Sequence, residues 1–490
     1  MFILVEVTTS ETVWVRDATE KRTPSNIDLP DELAFQLTRR SETLNLNLRR
    51  NHDINPHAGV YFARQLKNGK FGLEQSNDIE TENLVYYQDI HNWAFMTVRC
   101  VRKAYEQCNR TINGNVRIED IDYVIHPAEN DASSRNLLEV PDVLGRQYVL
   151  EVERHPIREH SFDNQDTHQE METNIGEKRV TIKRRFQKQQ NQKRLSAALI
   201  SMPDTKESTV QKNGEIDKSR QLPQIYYVKV AEVIDLGLWN FYYSTVNYQS
   251  PLTRKRDVIK CIHQFYSHIM NGINMLYKGI RDRSIRISVI LNKFIILKTD
   301  LDFQHNESKV NSHNGTMYIE GFPYLKDVID WDIKSAENDE PSFSLGMLFT
   351  KYKLYNDVFE NNDGGGLCYT GEVCNKGKRM SIVEMGSYVW TVRAAAHEMG
   401  HSLGADHDGE KGSVDCKADD EYIMSPHIDD NYPGRRYSRN PWIFSHCSIN
   451  AFKRTLPSKT CLSDAGSYFD YDDYHAFVKN EPGMYRLNHS

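Results

Sequence analysis

No stretch of this 490-residue chain is apolar over the length that a membrane-spanning helix needs. An excess of positive charge is also missing. Lys and Arg number 61 against 68 Asp and Glu, for a formal net charge of −7 with both signs spread along the chain, so the balance gives no reason to invoke nucleic acid. None of the eight cysteines lies in a CxxC pair, which argues against a structural zinc knuckle. The opening Met1-Phe2-Ile3-Leu4-Val5-Glu6 is too short, and too soon interrupted by charge, for a secretory apolar segment.

What the chain does have points to an oxidising compartment. Six of the eight cysteines (Cys261, Cys368, Cys374, Cys416, Cys447 and Cys461) fall in the C-terminal half; Cys100 and Cys108 precede them. Glycosylation sequons stand at Asn109, Asn306, Asn314 and Asn488. The expectation is a secreted protein whose N-terminus here is truncated or misannotated.

The strongest signal is His397-Glu398-Met399-Gly400-His401-Ser402-Leu403-Gly404-Ala405-Asp406-His407. His397 and His401 are four apart, so on a helix they share one face and can share a metal ion. Glu398 sits where it can take a proton from a zinc-bound water. Gly404 falls where the helix must stop, and a left-handed glycine there lets the chain turn and bring in His407 as a third ligand. Three protein ligands leave a fourth position for water, the mark of a catalytic zinc. Further on, Tyr422-Ile423-Met424-Ser425-Pro426 places a methionine where a tight turn would floor the three imidazoles; the extended motif followed by such a methionine is the metzincin pattern.

With Asp408 after the third histidine, the turn Ile423–Pro426 and the later Phe444-Ser445-His446-Cys447-Ser448, the chain resembles the adamalysin (reprolysin) branch of the metzincins, and most of all the salivary metalloproteases of ticks. The resemblance implies one catalytic zinc on His397, His401 and His407, with Glu398 as the general base. It makes Gly404, Asp408 and Met424 structural supports of the site. It implies a substrate edge at Gly365-Gly366-Leu367, where glycines let a peptide backbone approach, and a pocket near Pro426. It also implies the disulfides Cys416–Cys447, Cys368–Cys461 and Cys261–Cys374. Two departures stand out. Lys229 occupies the first-strand position at which many relatives carry a calcium-binding Glu, and it would repel a cation. No cysteine lies between 109 and 260 to cap the zinc of a proform, which leaves Cys100 or Cys108, or steric cover, for latency.

Along the chain, Thr43–Arg49 alternates apolar and polar as a half-buried strand does, and short β-like runs follow at 59–62, 114–118, 123–125 and 147–150. The expectation is a β-rich prodomain over 1–155, with a helix near 90–108. Residues 156–222 are polar and charged, and read as a disordered linker whose clusters Lys183-Arg184-Arg185 and Lys193-Arg194 suit processing. From 223 to 465 strands and helices alternate: a buried strand at 225–234, a long helix from Arg254, a strand at 285–290, a helix over 322–335, a strand at 345–350 and the active-site helix over 388–403. This is an α/β domain, and the resemblance makes it a metzincin catalytic domain with a mixed, twisted sheet. Residues 466–490 form an acidic, Tyr-rich tail.

The expected function is a secreted, zinc-dependent endopeptidase made as a zymogen, with host proteins such as fibrin(ogen) or extracellular matrix as substrates by resemblance. Two other readings stay open at this point. One is a metzincin-fold binding protein without turnover, against which an intact Glu398 argues. The other is an intracellular zinc hydrolase.

Overall fold

Alternating burial runs through the N-terminal third of the chain, and the strands it produces close into a barrel. The computed structural model describes residues 10–19, 29–40, 42–76, 84–101, 109–119, 121–128, 146–153, 223–246, 250, 253–297, 310–313, 315–335, 343–355, 365–426 and 439–464. The expected linker and tail, and the basic clusters, lie outside these residues, as do Cys108, Asn306, Asn314 and Asn488.

Ten strands come first: β1 (Ser10–Asp17), β2 (Glu32–Arg39), β3 (Glu42–Arg50), β4 (Ile54–Gln65), β5 (Phe71–Gln75), β6 (Leu84–Asp89), β7 (Ala94–Val101), β8 (Asn109–Ile118), β9 (Ile121–Pro127) and β10 (Arg146–Val152). Eight of them close in the order β1-β10-β9-β8-β7-β6-β3-β2, every pair antiparallel. Closure leaves no open edge in this sheet. Leu37, Leu46, Leu48, Met96, Val98 and Ile112 help fill its interior. The helix expected near 90–108 is not formed over its described part. Residues 94–101 are strand β7, because Met96, Val98 and Cys100 alternate inward and β6 and β8 pair on either side. Ahead of the expected strand at 43–49, Ser10–Asp17 and Glu32–Arg39 supply β1 and β2.

The second half holds β11 (Gln224–Ile234), α1 (Leu236–Thr245), α2 (Arg254–Lys278), β12 (Ile285–Ile296), β13 (Asn311–His313), β14 (Thr316–Glu320), α3 (Gly321–Lys334), β15 (Leu345–Thr350), β16 (Lys353–Tyr355), β17 (Gly366–Cys368), β18 (Met380–Glu384), α4 (Tyr388–Ser402) and α5 (His446–Thr455). The main sheet runs β17-β18-β15-β11-β12-β4-β5. Its inner strands are parallel, and β17 and β5 run antiparallel at the two edges. Parallel strands need both faces covered. One face carries Val228, Val230, Val289 and Phe349 against α2 and α4. The other carries Ala231, Val233, Leu348 and Ile382 against α3. The alternation of β11 between these cores explains why its sequence reads as an unbroken apolar run.

The division at residue 155 does not describe the packing. The hairpin β4–β5, inserted between barrel strands β3 and β6, extends the sheet of the second half. Val60 pairs with Phe294, Tyr61 with Ile295 and Phe62 with Ile296. The barrel itself rests on α2 through a buried polar cluster. Asn51 Nδ2 donates to Asn271 Oδ1 at 2.8 Å, Gln88 Nε2 to the Asn271 carbonyl at 2.7 Å and Asn274 Nδ2 to Asp53 Oδ2 at 2.9 Å. Lys278 Nζ stands 2.9 Å from the same Asp53 oxygen. Each buried amide thus meets a partner, as burial requires. Next to this cluster, Glu153 Oε1 accepts from the Val389 N–H at 2.6 Å, and Oε2 accepts from Asn115 Nδ2.

Disulfides differ in part from expectation. Cys416 pairs with Cys447, and Cys374 pairs with Cys461, each with Cα atoms 6.2 Å apart. Because Cys374 and Cys461 take each other, neither Cys368–Cys461 nor Cys261–Cys374 forms. Cys368 lies on β17, and its thiol instead donates to the Glu398 carbonyl at 3.1 Å. Cys100 is disulfide-bonded, so it offers no thiol that could cap a zinc ion.

Two tests follow from this packing. Peptide mapping without reduction should recover Cys374 joined to Cys461 and Cys416 joined to Cys447, with Cys368 alkylated after unfolding; a Cys368–Cys461 peptide would overturn the assignment. Burial raises the Glu153 pKa to about 8. A carboxyl raised in the folded state stabilises fully below its unfolded pKa, and that stability is lost as pH rises through the folded value. In urea unfolding of the full chain, wild type should therefore lose stability relative to Glu153→Gln between pH 5 and 8, by up to about 1.4 kcal/mol per pH unit. Equal slopes for the two proteins would refute this.

Candidate metal centre

α4 begins at a cap and ends at a second one, and both bear on the site. Ser387 is the N-cap, its Oγ accepting from the Trp390 N–H at 3.4 Å. At the other end the Gly404 N–H donates to the His401 carbonyl at 2.8 Å and the Ala405 N–H to the Gly400 carbonyl at 3.0 Å. This pair of bonds is a Schellman motif, which requires a left-handed residue after the helix. Gly404 meets it with φ +103°, and a Cβ there would overlap Thr455. The turn delivers His407 to the two helical histidines. Ring centroids stand 4.7 Å apart for His397–His401, 4.6 Å for His401–His407 and 5.1 Å for His397–His407.

Hydrogen bonds fix which nitrogens face inward. His397 Nδ1 donates to the Ile423 carbonyl at 2.7 Å, and His401 Nδ1 donates to the Ala405 carbonyl at 2.8 Å. Each Nδ1 therefore carries the proton, and each Nε2 presents a lone pair. Burial and the neighbouring rings hold His397 well below the usual imidazole range and His401 at about 4, so both stay neutral at neutral pH. His397 Nε2 and His407 Nε2 lie 3.2 Å apart, and the three rings each offer a nitrogen within 4.8 Å of the others. Tetrahedral ligands about 2.0–2.1 Å from one ion stand roughly 3.3 Å apart. Neutral nitrogens at this spacing fit zinc.

The floor and walls are equally specific. Met424 is fully buried, and a Cβ on Gly400, between the two helical histidines, would overlap its Sδ. The Met424 carbonyl accepts from the Asp408 N–H at 2.9 Å. Asp408 Oδ1 accepts from Ser445 Oγ at 2.6 Å, and Ser445 is the N-cap of α5, so the loop of the third histidine is tied to that helix. Glu398 is buried on α4 against the sheet edge. A Cβ on Gly366 would come within 2.5 Å of Glu398 Cγ, which explains the glycine. Burial raises the Glu398 carboxyl to about 8. Gly365 lies against the Trp390 ring, Gly366 and Leu367 lie on β17, and Leu367 packs against the start of α3. β17 is the edge strand of the sheet. Pro426 follows the Met424 turn, half-buried; His427 and Ile428 lie outside the described residues.

Comparison with known proteins agrees with this geometry. Residues 242–438 match the reprolysin profile of metallo-peptidase family M12. Over these residues the chain is similar to the reprolysin-type metallopeptidases. The venom metalloproteinase BumaMPs1 of Olivierus martensii is 43% identical over 175 residues, which are 34% of this chain and 42% of that protein. Trimerelysin-2, a snake venom metalloproteinase of Protobothrops flavoviridis, is 28% identical over 234 residues, covering 47% of this chain and 91% of that one. A disintegrin and metalloproteinase with thrombospondin motifs-like protein of Bombyx mori is 24% identical over 50% of this chain and 34% of its own length. The chain thus spans well under two thirds of the first and third of these relatives.

Sequence reasoning did not find three residues around this site. Gly400 passes for a neutral position inside the histidine motif, although the methionine below it leaves no room for a side chain. Cys368 was assigned to a disulfide and instead lies beside Glu398. Tyr277 of α2 donates its hydroxyl to the Ala396 carbonyl at 2.9 Å, a bond that no sequence spacing signals.

Replacing Gly404 with Ala should cost the left-handed strain of about 1–3 kcal/mol and also displace Thr455. Zinc titration should show weakened binding together with a lower unfolding midpoint; unchanged values for both would contradict the role given to this turn.

Proposed function

We propose that the chain is a secreted endopeptidase, made as a zymogen, that hydrolyses peptide bonds in protein substrates. The observation that carries this reading is the 3.2 Å approach of His397 Nε2, which bears a lone pair, to His407 Nε2, with the buried carboxyl of Glu398 next to His397 in α4. A merely structural site would have no use for that carboxyl.

In this reading His397, His401 and His407 hold the ion, and Glu398 is the catalytic acid–base. When bound, zinc supplies Lewis acidity toward a water and a carbonyl oxygen. Glu398 takes the proton from the attacking water and returns it to the leaving amine. The Ile423 and Ala405 carbonyls keep two imidazoles in one tautomer throughout. A peptide would add as an extended strand to the free edge of β17, where Gly365 and Gly366 keep side chains out of its path and Leu367 and Pro426 border the cleft. The likeness to venom metalloproteinases favours extracellular host proteins, such as fibrin(ogen) or matrix, as targets.

Glu398→Gln should keep one zinc per chain while lowering kcat on the order of 10²- to 10⁴-fold. Metal analysis and peptide cleavage on the same sample would check both halves. Turnover near the wild-type rate would refute the assignment. In casein or gelatin zymography, a zinc chelator should abolish clearing; binding without clearing would instead favour a protein that keeps the fold and has lost turnover.

A further inference from the structure

The packing between the barrel and the metallopeptidase domain is that of one folded body, not of a cover laid on a finished enzyme. β4 is not seated on the surface of the main sheet but pairs within it, in parallel register with β12. It separates the apolar edge Phe294, Ile295 and Ile296 from solvent, and all three are fully buried. An unpaired edge of that kind is a template for aggregation. The hairpin and barrel also enter both cores: Ile54, Val60, Tyr86 and Phe95 lie in the core under α2 and α4, and Ala63 and Phe71 in the core under α3.

Polar contacts follow the same rule. α2 presents His268, Asn271 and Asn274 toward the barrel, and these polar residues are as deeply buried as its apolar face. His268 Nε2 donates to Asn115 Oδ1 at 2.9 Å, and its Nδ1 accepts from Thr97 Oγ1 at 3.1 Å. Trp442, which is buried, lies 5.8 Å from the Trp93 ring and 5.7 Å from the Arg117 guanidinium, both from the barrel side. Glu153 supplies the acceptor for the second N–H of α4, next to the one Ser387 takes. The barrel therefore holds the start of the helix whose other end bears the histidines. Val389 and His401 are twelve residues apart, so that contact lies about 18 Å along the axis from the ligand.

We infer that the N-terminal barrel with its β4–β5 hairpin is a permanent subunit of the enzyme. It stays bound after the chain is cut between residues 154 and 222, it completes the main sheet, and Glu153 is a positioning residue for α4. The partner that fits the β12 edge and the polar face of α2 is this chain's own N-terminal segment. The inference deepens the zymogen reading: processing would free the two pieces to shift without releasing one of them. Its test reads association and not turnover, so its failure would leave the peptidase assignment standing.

The experiment uses the full chain with a recognition sequence for a site-specific protease inserted between Asn191 and Gln192, cut until no intact chain remains on a denaturing gel. In native gel filtration the two fragments should co-elute at the size of the uncut protein and separate only in urea. Hydrogen exchange on the cut sample should leave the amides of Leu291–Ile296 and Val389 as protected as in the uncut chain. Separate elution of a folded C-terminal fragment, or loss of protection at both places, would overturn the proposal. Glu153→Gln provides a second reading: at pH 8.5, above the pKa of about 8 of the wild-type carboxyl, Val389 should exchange more slowly in the variant relative to wild type than it does at pH 6, and an unchanged ratio would remove Glu153 from the positioning role.

Discussion

Two hydrogen bonds from ring nitrogen to backbone carbonyl, His397 to Ile423 and His401 to Ala405, are what the rest of the site depends on. They place the proton on Nδ1 and the lone pair on Nε2, and without that choice three adjacent imidazoles would have no shared direction. Each bond recruits a different part of the chain. The Ile423 carbonyl belongs to the methionine turn, and the Ala405 carbonyl exists in that position only because Gly404 reverses the chain. Asp408 and Ser445 then hold that reversal against α5. The ligand geometry is thus a consequence of backbone placement, and side chains such as Met424 fill what remains.

The same helix that carries the ligands is gripped along its length. Its first N–H groups are taken by Ser387 and by Glu153 from the barrel. Its middle receives the Tyr277 hydroxyl at the Ala396 carbonyl, and its last turn is closed by the Schellman bonds. A helix so fixed has little freedom to move the histidines, which suits a site whose function is to orient a metal and a base before substrate arrives. The cleft side is lined differently: β17 is short and at the sheet edge, and its glycines leave space beside Glu398.

The site was legible in sequence because its geometry is local. The spacing of His397 and His401 is a property of the helix, and the offset to Gly404 and His407 is a property of one turn. The catalytic half was legible for a related reason, since its strands and helices carry clear periodicity. Long-range choices were not. Whether Cys461 meets Cys368 or Cys374 depends on where the segment 369–374 wraps the end of α4, and family likeness pointed to the wrong sulfur. The hairpin β4–β5 reads as ordinary β sequence, and nothing in its own residues says which sheet it joins. β7 was taken for helix because its inward positions, Met96, Val98 and Cys100, are legible only once neighbours pair on both sides. Glu153 carried no signal at all, because its meaning lies in the Val389 amide 236 residues away.

X-ray absorption at the zinc edge of the metal-loaded protein tests the central claim most directly. The account requires three imidazole nitrogens and one oxygen at about 2.0–2.1 Å, with no sulfur near 2.3 Å. A spectrum that needs a thiolate, or that fits fewer than three imidazoles, would contradict it.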